Sequence, residues 1–60
     1  MPKVGEKVTF VYHDKVRVGR IEQIELQPKN GLPNLLLAMP RMQFKRFSLV
    51  KVERIQVIPE

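Results

Sequence analysis

The sixty-residue chain has no cysteine, one histidine, three glycines and a single alanine. Without cysteine no disulfide can form. With His13 as the only other soft ligand, a structural zinc site of Cys and His side chains cannot be assembled within one chain. Long apolar runs are missing too: the longest, Leu35 to Met39, falls far short of the ~20 residues that span a bilayer. The first residues, Met-Pro-Lys-Val-Gly-Glu-Lys, lack the apolar core of a secretory signal. The expectation is a protein that does not insert into membranes and resides in the cytoplasm.

Raw material for catalysis is equally scarce. There is no Cys nucleophile, and the only hydroxyl side chains are Thr9, Tyr12 and Ser48. Glu22 and Glu25 lie three apart on an expected strand, so they point to opposite faces and cannot act as a paired acid and base. His13 and Asp14 are adjacent in a turn, where an oriented dyad is hard to form. Glycines at 5, 19 and 31 fit no phosphate-cradling spacing. Neither enzymatic activity nor a cofactor or metal is expected.

What is present is β-branched and basic. Of 26 apolar residues, eight are Val and four are Ile, side chains that lose χ1 freedom in a helix and pack well on a pleated surface. Val8, Phe10 and Tyr12 alternate with Lys7, Thr9, Val11 and His13, the period of a half-buried strand. Val16 and Val18 resume the alternation after His13-Asp14-Lys15, which reads as a tight hairpin turn without a glycine. This phase presents Arg17 to solvent. Gly19 marks an expected bulge or bend. Gln27 to Asn34 is the clearest loop, with Pro28 on the approach and Asn30-Gly31 at its turn. Leu35 to Met39 reads as a central strand buried on both sides, and Pro40 ends it. Phe44, Phe47 and Leu49 anchor the next strand. Lys51 to Arg54 is expected as a one-turn helix, and Ile55 to Ile58 as the last strand.

The sum is an all-β fold, a five-stranded SH3-like small barrel with a one-turn helix before the last strand, forming one domain over residues 1–60. Closing the sheet reduces exposed edges. A core this small ends near balance against roughly 1.5 kcal/mol of entropy per ordered residue. Marginal stability or self-association, as a homodimer or a larger ring, follows.

Eleven Lys and Arg against six Asp and Glu give a net charge of +5, and the excess is uneven. Residues 1–20 and 41–60 each carry five basic and two acidic side chains, while residues 21–40 carry one and two. In a barrel whose first and last strands pair, the two basic ends can merge into one face. In Arg41-Met42-Gln43-Phe44-Lys45-Arg46-Phe47 three cations are interleaved with two aromatics. Arg41, Lys45 and Arg46 can meet phosphates while Phe44 or Tyr12 stacks on a base. Arg17 and Arg20, on a rigid strand, are further phosphate contacts, with ion pairs to Glu22 or Glu25 as the structural alternative. Two partners suit such a face: single-stranded DNA or RNA, or an acidic protein. Met39 and Met42 read as core filler, and His13 as a turn residue.

The strings Val8-Thr-Phe-Val-Tyr12, Val16-Arg-Val-Gly-Arg-Ile21, Asn34-Leu-Leu-Leu-Ala38 and Arg46-Phe-Ser-Leu49, followed by Glu53-Arg54-Ile55, resemble the order of elements in WYL domains. The resemblance covers about fifty of the sixty residues. Asn34, Leu35 and Leu36 stand where that family has its Trp-Tyr-Leu signature, and Ser48 where it often has a pocket arginine. The resemblance implies an SH3-like (Sm-like) regulatory module of bacterial transcription factors and phage-defence proteins, with a role in binding nucleic acid or another negatively charged ligand. The opening Val4-Gly-Glu-Lys-Val8 is similar to the start of other SH3-like barrels, Tudor and KOW modules among them.

Overall fold

In the computed structural model, residues 2–27, 29 and 31–60 are described. Their architecture is all-β: five antiparallel strands in one sheet, β1 (Lys7–Tyr12), β2 (Lys15–Glu25), β3 (Asn34–Met39), β4 (Gln43–Ser48) and β5 (Glu53–Val57). The strand order is β4-β3-β2-β1-β5. A single turn of 3-10 helix at Leu49–Lys51, closed by the Val52 N–H donating to the Leu49 carbonyl at 3.3 Å, precedes β5. The expected one-turn helix is therefore there but starts two residues earlier, and β5 with it. Among the described residues no helix is long and apolar enough to cross a membrane.

The β1–β2 hairpin turns on two residues rather than three. Tyr12 pairs with Lys15, leaving His13 and Asp14 at the centre with φ of 51° and 63°. Positive φ at both central positions defines a type I′ turn, whose twist matches that of the flanking strands. Asp and His are among the few residues that tolerate this region without being glycine.

That one-residue difference sets the phase of β2. In an antiparallel pair, directly opposed residues share a face. Val8, Phe10 and Tyr12 line the inner face of the curled sheet, so their partners Gly19, Arg17 and Lys15 face inward as well. Val16 and Val18 point outward and stand 72% and 40% exposed. The expectation that Arg17 faces solvent and the valines face the core is reversed: the pairing register overrides local hydrophobicity.

Gly19 makes no bulge. The β1–β2 register runs through it without a break, and the irregularity falls between Ile21 and Gln23, opposite β3. Glycine relieves close packing at 19 instead. A Cβ there would stand 3.0 Å from Met39 Sδ, 3.1 Å from Leu37 Cδ1 and 3.2 Å from Leu37 Cβ. β3 leans over β2 so closely that a methyl group would require Met39 and Leu37 to shift by a few tenths of an ångström.

The core consists of Val8, Phe10, Ile21, Leu35, Leu37 and Phe47, all buried, with Tyr12, Ile24, Met39, Leu49, Val52 and Ile55 packed around it. The sheet curls far enough for Phe47 on β4 to meet Phe10 on β1 edge-on, ring centroids 5.2 Å apart. β3 alternates, with Leu35 and Leu37 buried and Leu36 and Ala38 half-buried; it is not sealed on both sides. Phe44 is no core anchor either. It lies three residues from Phe47 on the same strand, hence on the outer face, and is 56% exposed. In the 27–34 loop, Gly31 has the left-handed φ of 114° expected of it; Pro28 and Asn30 lie outside the described residues.

Candidate nucleic-acid interface

Strand alternation divides the seven residues singled out from the sequence. Arg17 opposes Phe10, and Lys45 opposes Leu37, so both occupy inner-facing positions with Tyr12. Arg20 and Phe44 flank Ala38 in one cross-strand row, and Arg46 opposes Leu36, which places these three on the outer face. Arg41 belongs to neither group. It sits in the Pro40–Met42 connection with φ of 67°, exposed. The basic residues thus do not merge into one face, although β1 and β5 do pair.

The outer cations are neutralised. Arg20 holds the Glu60 carboxylate bidentately, Nη1 to Oε1 at 2.8 Å and Nη2 to Oε2 at 2.7 Å, and Nη1 also donates to the Gly5 carbonyl at 2.8 Å. Arg46 pairs with Glu25, Nε to Oε1 at 3.0 Å. The carboxylates expected for Arg17 and Arg20 were Glu22 and Glu25; the geometry gives Glu60 to Arg20 and Glu25 to Arg46. Hydrogen bonding from Arg20 holds the Glu60 carboxyl below the usual carboxylate range, with the Arg20 and Lys7 charges adding to it.

The inner cations are different. Among the described residues, neither Arg17 nor Lys45 forms an ion pair. Both stand beside the Phe47 ring, the Arg17 guanidinium carbon and the Lys45 Nζ each 5.8 Å from its centroid. That is within the range of a cation–π attraction. Arg17 is half-buried, and its Nε is buried without a hydrogen-bond partner. Tyr12 adjoins the same ring, 5.0 Å from Phe47 and 4.5 Å from His13, both contacts edge-on. The site is therefore two unneutralised cations on an aromatic floor with a half-buried tyrosine beside them.

Comparison of the chain with protein-family models, with curated proteins and with solved structures returned no match. What the site can do rests on its own geometry.

Two participants were not counted among the binding residues read from the sequence, where Phe47 stands as a core anchor. Phe47 supplies the ring on which the cations converge, and Lys15, opposite Tyr12, adds a third inner-facing positive charge. Reading the hairpin as a two-residue turn is the signal that would have found Lys15, since it fixes the pairing of every residue from 15 to 20. No cluster of three or more His, Cys, Asp or Glu side chains able to hold a metal ion occurs among the described residues.

Proposed function

We propose that this protein is a non-enzymatic binding module for single-stranded nucleic acid, with Arg17 and Lys45 as phosphate contacts and Tyr12 as the stacking surface. The observation that carries this reading is the segregation of charge. On the inner face Arg17 and Lys45 are free of carboxylates, whereas Arg20 and Arg46 on the outer face are held in ion pairs. A guanidinium whose Nε has no acceptor is a donor already desolvated. An unmatched buried donor costs about 1–3 kcal/mol, and a phosphate oxygen would offset that cost on binding. Base–aromatic stacking tolerates any sequence, so a preference for particular bases is not expected.

The test compares two charge-matched double variants by anisotropy of a labelled oligonucleotide. Arg17→Gln with Lys45→Gln removes the inner pair, and Arg20→Gln with Arg46→Gln removes the outer pair. The inner variant is expected to bind more weakly and with a shallower salt dependence, by about 0.7 in the logarithmic slope for each single-strand phosphate that is no longer neutralised. The outer variant should stay near the parent. Equal weakening in both would reduce the interaction to net charge, and no salt-sensitive binding by the parent at low ionic strength would overturn the reading. An acidic protein on the same inner face is the outcome left if oligonucleotides fail and a host lysate yields a protein that Arg17→Gln no longer captures.

A further inference from the structure

A second feature lies away from the Phe47 ring. The β2–β3 ladder begins at Arg20 and Ala38, and β2 continues backward through Gly19, against which Leu37 and Met39 pack, to Val18 with no further ladder pair. Beside this end of the ladder lies a cleft of about 290 Å³, lined by Val18, Gly19, Ala38, Met39 and Pro40 together with Lys7 and Arg20. Its size is at the lower limit of small-molecule sites, roughly 300–1,000 Å³, which restricts an occupant to a compact body.

Lys7 and Arg20 bring two cationic side chains to the cleft lining. Lys7 and Arg20 are directly opposed across β1 and β2, an arrangement in which like charges destabilise each other. The Glu60 carboxylate resolves this conflict. It takes both terminal nitrogens of Arg20 and is drawn further toward ionisation by Lys7. The guanidinium is also held by the Gly5 carbonyl, which accepts from Nη1 at 2.8 Å, so the fork does not depend on a carboxylate alone for its placement. A planar carboxylate gripped bidentately is the arrangement for which arginine is best suited.

We propose that this cleft is a binding site for a small apolar carboxylate, its carboxylate group held by Arg20 and Lys7, its body against Val18, Ala38, Met39 and Pro40, with the Glu60 side chain as the internal competitor for Arg20 that a ligand displaces. The proposal is independent of nucleic-acid binding at the inner face. It accounts together for the opposed cations, the apolar cleft beside them and the carboxylate held on Arg20.

Benzoate is a suitable probe and benzamide its uncharged counterpart, each titrated into the ¹⁵N-labelled full chain while backbone amide shifts are followed. Benzoate should shift the amides of Val18, Gly19, Arg20, Ala38 and Met39 saturably, and benzamide should not. Glu60→Gln removes the competitor without touching the core, and it should tighten benzoate binding about two- to fivefold, the range that displacing an exposed ion pair allows. Arg20→Met should abolish the shifts. Equal effects of benzoate and benzamide, shifts spread over Lys45 and Arg41 instead, or unchanged affinity in Glu60→Gln would each overturn the proposal.

Discussion

The Tyr12 hydroxyl accepts the Ser48 backbone N–H at 3.3 Å, so the end of β1 is tied to the end of β4 although these strands are not neighbours in the sheet. The bond crosses the same side of the molecule as the Phe10–Phe47 contact and completes the curl of the sheet there. Tyr12 consequently has two roles that substitution can separate. Tyr12→Phe keeps the ring and removes the acceptor, and should destabilise the fold by about 0.5–1.5 kcal/mol. In a domain this small, thermal unfolding should shift down by about 4–8 °C per kcal/mol. Oligonucleotide affinity, if the ring does the stacking, should be retained in Tyr12→Phe and fall in Tyr12→Ala, measured below the unfolding transition of both.

Phe44 and Phe47 offer the sharpest contrast in stability. Phe47 is 1% exposed and touches Phe10 and Tyr12; Phe44 is 56% exposed. Phe47→Ala should cost about 3–5 kcal/mol, enough to unfold a domain of marginal stability. Phe44→Ala should stay within about 0.5 kcal/mol of the parent, as surface substitutions generally do. Circular dichroism melts of the two variants decide it, and similar destabilisation in both would mean that the outer face is covered.

These residues also mark how far the sequence could be read. The β-branched composition, the prolines and the period of two in Lys7–Tyr12 are local signals, and they were sufficient for five strands and a one-turn helix before the last. The facing of side chains was legible only where the alternation is anchored by large residues, as at Val8, Phe10 and Tyr12. On β2 it was not. Val16 and Val18 are the more apolar residues, and their hydrophobicity points the wrong way unless the turn is read as the two residues His13-Asp14, which force Arg17 inward. The ion pairs were hidden for a similar reason. Glu60 is 40 residues from Arg20, and their meeting depends on where β5 ends relative to β1, a property of the assembled sheet.

Gly19 gives a prediction with a steric cause alone, since its backbone is not in the left-handed region. In Gly19→Ala the new methyl group must displace Met39 Sδ and Leu37. The thioether can move, but Leu37 Cβ, 3.2 Å away, is fixed to the β3 backbone. Overpacking of this kind costs typically about 1–3 kcal/mol. Denaturant melts should therefore show a lower midpoint for Gly19→Ala, and adding Met39→Ala should recover only part of the difference, because the clash with Leu37 persists.

The Arg20–Glu60 pair predicts a pH dependence whose sign is fixed by the direction of the shift. Glu60 has its carboxyl pKa depressed in the folded chain, first by the hydrogen bonds from Arg20 and then by the charges of Arg20 and Lys7. A depressed folded pKa means that the contribution is present above the unfolded value of about 4.3 and is lost as pH falls through the folded one. The pair is solvent-exposed, 44% and 52%, so its effect on global stability should be small and further reduced by salt. The side-chain carboxyl resonance of Glu60 reports it directly. In the parent its NMR titration midpoint should lie below that of an unpaired glutamate, and in Arg20→Met it should rise toward about 4.3. Lys7→Met should produce a smaller rise, because Lys7 acts through its charge without a hydrogen bond to the carboxylate. A midpoint unchanged by Arg20→Met would mean that the bidentate contact does not persist in solution.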